Sequence, residues 1–231
     1  MAGYRALRDR ALEDDVGDLL RHDQRLQRVE VEVKVDGAVV HLRGTAPTVE
    51  ERRLLRTLVG RVRNVHAVWD LVRLPEQPTL RIVDIGCGSK PQYPEAVGID
   101  RLVSPATGVV ADLEGGLPLG RHCVDHLFAI HVLEHVHEPV HLMNEIHRVL
   151  HPEGVVHLMV PHWRHPNAVA DPTHVRYFGP ETFQYFCQER PLVSCFWPLS
   201  VSVCDDTVFA DLRPAGGQQV PGPDILARFF Q

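Results

Sequence analysis

The stretch LRIVDIGCGSKPQYPEAVGID, residues 80–100, constrains the fold more than any other. Ile82, Val83 and Ile85 bracket Asp84 in an apolar run, Gly86 and Gly88 follow at once, and Asp100 closes a second short apolar run. Glycines directly after a strand let the backbone turn tightly and admit a ligand with no Cβ in the way. A doubly wound α/β sheet binds nucleotides at that position. A dinucleotide fold wants G-x-G-x-x-G, but the third glycine position holds Pro91, and the G-x-x-x-x-G-K-[ST] phosphate loop does not occur. Both pyrophosphate readings weaken.

With 231 residues, 44% apolar and 23% charged, the chain has room for one large domain or two small ones. No run approaches the roughly 20 apolar residues that span a bilayer. MAGYRALRDRALEDD carries charge where a signal peptide needs an apolar core, so a cytoplasmic location is expected. The five cysteines are odd in number and form no CxxC pair, and they read as free thiols, mostly buried. Residues 1–78 hold 14 Lys+Arg against 13 Asp+Glu, and residues 79–231 hold 10 against 17. An acidic second half with no basic stripe argues against nucleic acid as a partner, since phosphate neutralisation dominates that affinity.

Pro75 and Pro78 interrupt the apolar periodicity, which places a linker at 76–79. Before it, Leu12, Val16, Leu19 and Leu20 have helical spacing within 11–26. VEVEVKV (29–35) alternates as a half-buried strand does, Asp36–Gly37 signals a hairpin, and AVVHLRG (38–44) returns. Thr48 with Glu51 forms a capping box for a helix to about Val62, and NVHAVWDLVRL (64–74) ends as a strand. This order, with the DGxVxLxG hairpin, the Glu- and Arg-rich helix and the closing strand, resembles a BON domain over residues 10–75. The resemblance implies a small α+β module for lipid or partner binding, with no catalytic constellation. A peripheral membrane or protein contact is expected of it, beside the plainer role of an accessory domain for solubility or dimerisation.

Downstream of Asp100, TGVVADL (107–113) ends at Asp112, VDHLFAIHVLEHV (124–136) reads as a buried strand entering a helix start, and EPVHLMNEIHRVLHPEGVVHLMVPH (138–162) as an amphipathic helix and another buried strand. DIGCG, GID, ADLEGGLP, FAIHVLEHV and EIHRVLHPEGVVHLMVP, in this order, resemble the class I S-adenosylmethionine-dependent methyltransferases of the small-molecule, type 11-like branch. The resemblance implies a doubly wound, mostly parallel Rossmann-like sheet over residues 80–231 and S-adenosylmethionine as cofactor. It implies that Asp84, Gly86 and Gly88 face the methionine end, and that Asp100 accepts the ribose hydroxyls. Asp112 and Leu113 fall beside the adenine, and His131 near the sulfonium. The plainer alternative for each of these acids, foremost Asp112, is an N-cap or loop carboxylate.

One departure stands out. SKPQYPEA (89–96) holds two prolines and is too short for the usual crossover helix. A single turn or bare loop is expected, and Lys90 is either a solvated lysine or the positive charge that replaces a helix N-terminus. The acceptor site is expected in PHWRHPNAVADPTHVRYFGPETFQYF (161–186), with His162, Asp171 and His174 as catalytic candidates. Asp171 and His174 read as an orienting pair with the histidine as base, or as a turn cap beside a packed histidine. His131, Glu134 and His135 are similar to the metal-binding set of some quinone-biosynthesis methyltransferases, yet LEHV is common without metal, and no metal is expected. His137, His141, His147 and His151 read as surface residues. After Phe186 the chain has at most two closing strands, and GPDILARFFQ (222–231) ends in an apolar cluster that suits docking on a neighbour or a second subunit. The function expected is methyl transfer to a small molecule or a cell-envelope intermediate. The alternative is a cofactor-binding scaffold that has lost catalysis.

Overall fold

The computed structural model describes residues 2–77, 79–216 and 220–230, with side chains from Arg5. Pro78 of the expected linker, Gly217 of the DLRPAGG tail and Gln231 lie outside the described residues. The chain divides into two units, Met1–Leu80 and Arg81–Gln231. No helix among the described residues is long and apolar enough to cross a membrane.

The first unit runs α1 (Ala2–His22), β1 (Glu30–Asp36), β2 (Val39–Thr45), α2 (Val49–Val59) and β3 (Ala67–Arg73). β1 pairs antiparallel with β2, and β2 parallel with β3. Alternation along β1 aims Val31, Val33 and Val35 at a core of Val16, Leu26, Val40, Leu42, Leu55, Val59, Val68 and Val72. The hairpin turns one residue later than expected, because Asp36 pairs with Val39 and leaves Gly37 and Ala38 as the turn. Their φ angles, 60° and 67°, belong to the primed turn whose twist matches a hairpin. Asp9 of α1 fastens this turn, accepting the Gly37 N–H at 3.0 Å and the Ala38 N–H at 3.1 Å. α1 begins earlier than residue 11 and stops at His22, where Asp23 caps a separate 3-10 turn. α2 opens on the Thr48 hydroxyl, which accepts the Glu51 N–H, and closes at Val59 on Gly60 rather than near Val62.

The second unit contains β4 (Ile82–Ile85), β5 (Val97–Asp100), β6 (Thr107–Val110), β7 (Val124–Ile130), α3 (Pro139–Val149) and β8 (Leu150–Pro161). α4 (Pro166–Ala170), α5 (Pro180–Phe186), β9 (Phe196–Cys204), β10 (Thr207–Pro214) and α6 (Pro223–Phe229) follow. The sheet order is β6-β5-β4-β7-β8-β10-β9. β6 through β8 are parallel, and β10 runs antiparallel to both β8 and β9. It is a doubly wound, mostly parallel sheet closed by the compact hairpin expected after Phe186.

One face of this sheet presents Val83, Ile85, Ile99, Leu127, Ala129, Val156 and Leu158 to Leu142, Met143 and Ile146 of α3 and to Phe183 and Phe186 of α5. The apolar C-terminus belongs to the same cluster through Leu226 and Phe230, so it docks on its own unit. His147 is no surface residue: its ring meets Phe196 edge-on, and burial lowers its pKa. Cys87 and Cys187 are buried, the other three cysteines only partly, and all five are free thiols. On the other face a buried polar chain crosses three strands, with His126 Nδ1 3.2 Å from His157 Nε2 and His157 Nδ1 2.8 Å from Asp211. Each group is paired, as burial in a low-dielectric interior demands.

Candidate active site

The order reverses at β4, whose neighbours β5 and β7 diverge, and a crevice at such a switch point is where open α/β sheets bind ligands. Gly86 and Gly88 turn the chain there at φ 63° and 57°. A Cβ on Gly86 would stand 2.6 Å from Val132 Cγ2, whereas at Gly88 nothing lies within 4 Å. The turn is therefore packed on one side and open on the other. It is fastened to β5 twice: Gly86 N–H donates to the Ile99 carbonyl at 2.7 Å, and Gly88 N–H to Asp100 Oδ2 at 2.9 Å. Asp100 Oδ1 accepts from the Leu102 N–H at 2.9 Å. A carboxylate offers about four acceptor sites, so both oxygens keep capacity for further donors.

Asp84 is buried, and its Oδ2 accepts the Gln92 N–H at 2.6 Å. Desolvation raises its pKa to about 6, and the Asp100 charge pushes the same way. That hydrogen bond pins the compressed loop, which contains turns and no helix, as expected. Tyr93 of this loop is buried and packs edge-on against Phe128 of β7, which stacks in turn on His157. The compression goes further than the sequence indicated. The 101–106 connection also lacks a helix and is held by Ser104, whose hydroxyl donates to the Gly88 carbonyl at 2.6 Å. Lys90 is exposed and has no side-chain partner among the described residues.

Asp112 is exposed at the end of β6, and its Oδ1 accepts the Glu114 N–H, capping the 3-10 turn Leu113–Gly115. Two residues of α3 clamp the segment that follows. Glu145 accepts the Leu117 N–H at 2.9 Å, while Arg148 donates to the carbonyls of Leu117 and Leu119. The Arg148 guanidinium and the Leu117 N–H hold the Glu145 pKa down at about 2.

His131 follows β7 in the left-handed region, φ 55°, with its N–H donating to the Met159 carbonyl and its ring half exposed. Its Nδ1 is 3.1 Å from Glu134 Oε1. Glu134 is itself buried, on the 3-10 turn Leu133–His135, and its backbone carbonyl accepts the N–H groups of Val175 and Arg176. These bonds bring the 171–176 segment onto the end of β7. In the sequence Glu134 entered only through the likeness of His131, Glu134 and His135 to a metal-binding set, since LEHV does not reveal which side chain turns inward.

Of the three catalytic candidates, Asp171 and His174 are neighbours and His162 is bonded to neither. The Asp171 Oδ1 accepts both the Thr173 hydroxyl at 2.7 Å and the Thr173 N–H at 2.8 Å, which lowers its pKa. Its Oδ2 is 3.8 Å from His174 Nε2, beyond hydrogen-bond reach. His174 is largely buried, and its Nδ1 lies 2.9 Å from the Ala168 carbonyl. A carbonyl only accepts, so in the neutral ring the proton sits on Nδ1 and the Nε2 lone pair is free. His162 is the reverse. Its Nδ1 accepts the Arg164 N–H at 3.2 Å, which leaves the proton on Nε2.

A seven-stranded sheet of this order, with acids ending its adjacent strands β4 and β5 around a two-glycine turn, defines a Rossmann-like methyltransferase fold. Residues 83–158 match the family model of the methyltransferase domain, and residues 8–76 match that of the BON domain. The complex between the Haloferax volcanii Trm112 methyltransferase activator and its methyltransferase resembles it at 16% identity and a TM-score of 0.47, over 62% of this chain and 86% of that one. An S-adenosylmethionine-dependent methyltransferase of Mesorhizobium loti is similar at 18% identity and a TM-score of 0.44, over 58% and 90%. One from Aquifex aeolicus is similar at 14% and 0.43, over 58% and 81%. No curated protein matches the chain.

Proposed function

We propose that the chain is an S-adenosylmethionine-dependent methyltransferase acting on a small molecule or a cell-envelope intermediate. The observation that carries this reading is the Gly88–Asp100 hydrogen bond, which sets an open glycine turn beside a carboxylate with acceptor capacity to spare. The cofactor supplies an electrophilic methyl group on a sulfonium. Asp100 takes the ribose hydroxyls, Asp84 and the Gly86–Gly88 turn the methionine end, Asp112 and Leu113 the adenine side, and His131 lines the sulfonium side. Lys90, unpaired and exposed at the loop, is free to meet the cofactor carboxylate.

In-line methyl transfer needs chiefly that donor and acceptor be held at reacting distance. Trp163, Val169 and Tyr177 are exposed within the acceptor segment and suit a substrate with an apolar body. A base is needed only if the acceptor loses a proton. His174 Nε2 carries the free lone pair for that step, with the Asp171 carboxylate 3.8 Å away. His162, protonated on Nε2, is a donor that orients the acceptor. The BON domain serves as a lipid- or partner-binding module for a cytoplasmic enzyme. Titration with S-adenosylmethionine followed by turnover on candidate extracts tests the reading. Tight binding without methylation of any extract favours a cofactor-binding scaffold, and no binding at all removes both.

A further inference from the structure

We infer that Glu134, His135 and His174 form a binding site for one divalent cation of the zinc type. One ligand atom of each residue lies within 4.8 Å of the other two, although His174 reaches the group from a different loop. The second observation is independent of this spacing. Glu134 is 1% exposed, and its Oε2 is buried with no hydrogen-bond partner among the described residues. Leaving a carboxylate oxygen dry and unpaired is costly, and buried charges are ordinarily paired or bound to metal.

The tautomers agree with ligation. His135 Nδ1 lies 3.2 Å from the Thr173 carbonyl and 3.0 Å from the Thr173 hydroxyl oxygen, whose own proton goes to Asp171. His135 therefore carries its proton on Nδ1, as His174 does against the Ala168 carbonyl. Both rings keep an Nε2 lone pair, and both have the outer hydrogen bond that fixes a metal-ligating imidazole. The rings meet edge-on with centroids 4.8 Å apart. Two imidazoles and a carboxylate are a ligand set that zinc and its neighbours accept, with a further position left for water or substrate. Ligand bonds of about 2.0–2.2 Å require the three side chains to draw together by roughly 1 Å on loading. A loaded His174 is a ligand and no longer a base, so metal binding replaces the base role given to His174 above, and the three ligands are separate from the residues of the cofactor site.

The test is zinc uptake by the full chain after chelation and dialysis, with Co2+ as the spectroscopic probe and S-adenosylhomocysteine affinity measured alongside. About one equivalent of zinc is expected in the wild type, with Co2+ giving a low-symmetry visible spectrum. Glu134→Gln and His174→Ala should weaken uptake about 100-fold, and Thr173→Val, which loosens His135, about tenfold. His174→Cys should retain binding, and His151→Ala, remote from the cluster, should leave it unchanged. The proposal is overturned by a wild-type chain that takes up no zinc, or by equal uptake in the wild type, Glu134→Gln and His174→Ala. Either of those results with S-adenosylhomocysteine binding intact removes the metal alone. Zinc uptake without S-adenosylhomocysteine binding removes the cofactor reading instead.

Discussion

The Gly88 N–H donates to Asp100 Oδ2 at 2.9 Å, so the acid that ends β5 also shapes the turn that ends β4. Gly88 holds φ 57° with nothing near a substituted Cβ, so an alanine there meets no atom and pays only for the left-handed backbone. Gly88→Ala should cost about 1–2 kcal/mol in urea unfolding. Gly86→Ala adds a clash with Val132 and should cost more. Equal losses at the two positions would show that the turn is not packed on one side only.

With Asp84 at the methionine end of the cofactor, as proposed, binding should depend on pH. Its folded-state pKa, about 6, lies above its ordinary 3.8, so its protonated form is favoured by the fold. Stability of the unliganded protein should rise as pH falls through 6 toward 4, because the unfolded chain still holds a charge that the folded one has lost. A cofactor ammonium facing Asp84 needs the ionised form. S-adenosylhomocysteine affinity should therefore fall up to about tenfold per pH unit below 6, and calorimetry in buffers of different ionisation heat should detect proton release. In Asp84→Asn the pH dependence should vanish.

Glu145 and Arg148 hold the Leu117–Leu119 segment behind Asp112. The Glu145 pKa is lowered from 4.5 to about 2, so its stabilisation is complete above pH 4.5 and is lost as pH falls toward 2. Arg148→Met strips two carbonyls and one carboxylate of their donor and should cost about 1–3 kcal/mol at neutral pH. Limited proteolysis of that variant should cut first near residues 113–120.

Asp9 satisfies the two N–H groups of the Gly37–Ala38 turn from a distant helix. Asp9→Ala should destabilise the first unit by about 1–3 kcal/mol, since two part-buried donors lose a charged acceptor. Amide exchange of Gly37 and Ala38 should accelerate in step, and unchanged exchange would show that the helix does not hold the hairpin.

Most of the fold was legible because its strands are buried β-branched runs and its turns carry their own chemistry. Ile82–Ile85 and Val124–Ile130 could hardly be anything but interior strands, and Gly86–Gly88 could only be a turn after one. The hairpin slipped by a residue because the stabilising group is Asp9, far away in sequence. Helix loss at 101–106 follows from the shortness of that connection, but the bond between Ser104 and Gly88 that closes the loop is one no local pattern announces. Asp84, Asp100 and Asp112 stood out at strand ends, and the roles proposed for them came with the family resemblance. Glu134 entered only beside His131 and His135, through their likeness to a metal-binding set. Its inward turn depends on the Val175 and Arg176 N–H groups arriving from the loop after β8, which a linear pattern cannot place.

The central claim is that the turn at Gly86–Gly88 and the carboxylate of Asp100 together bind the cofactor. Calorimetric titration of the full chain and of Asp100→Ala with S-adenosylhomocysteine measures this directly. Losing a charged acceptor for the ribose should weaken binding about 10- to 100-fold against a saturable, single-site wild type. Undiminished affinity in Asp100→Ala, or a wild type that gives no binding heat, would contradict it.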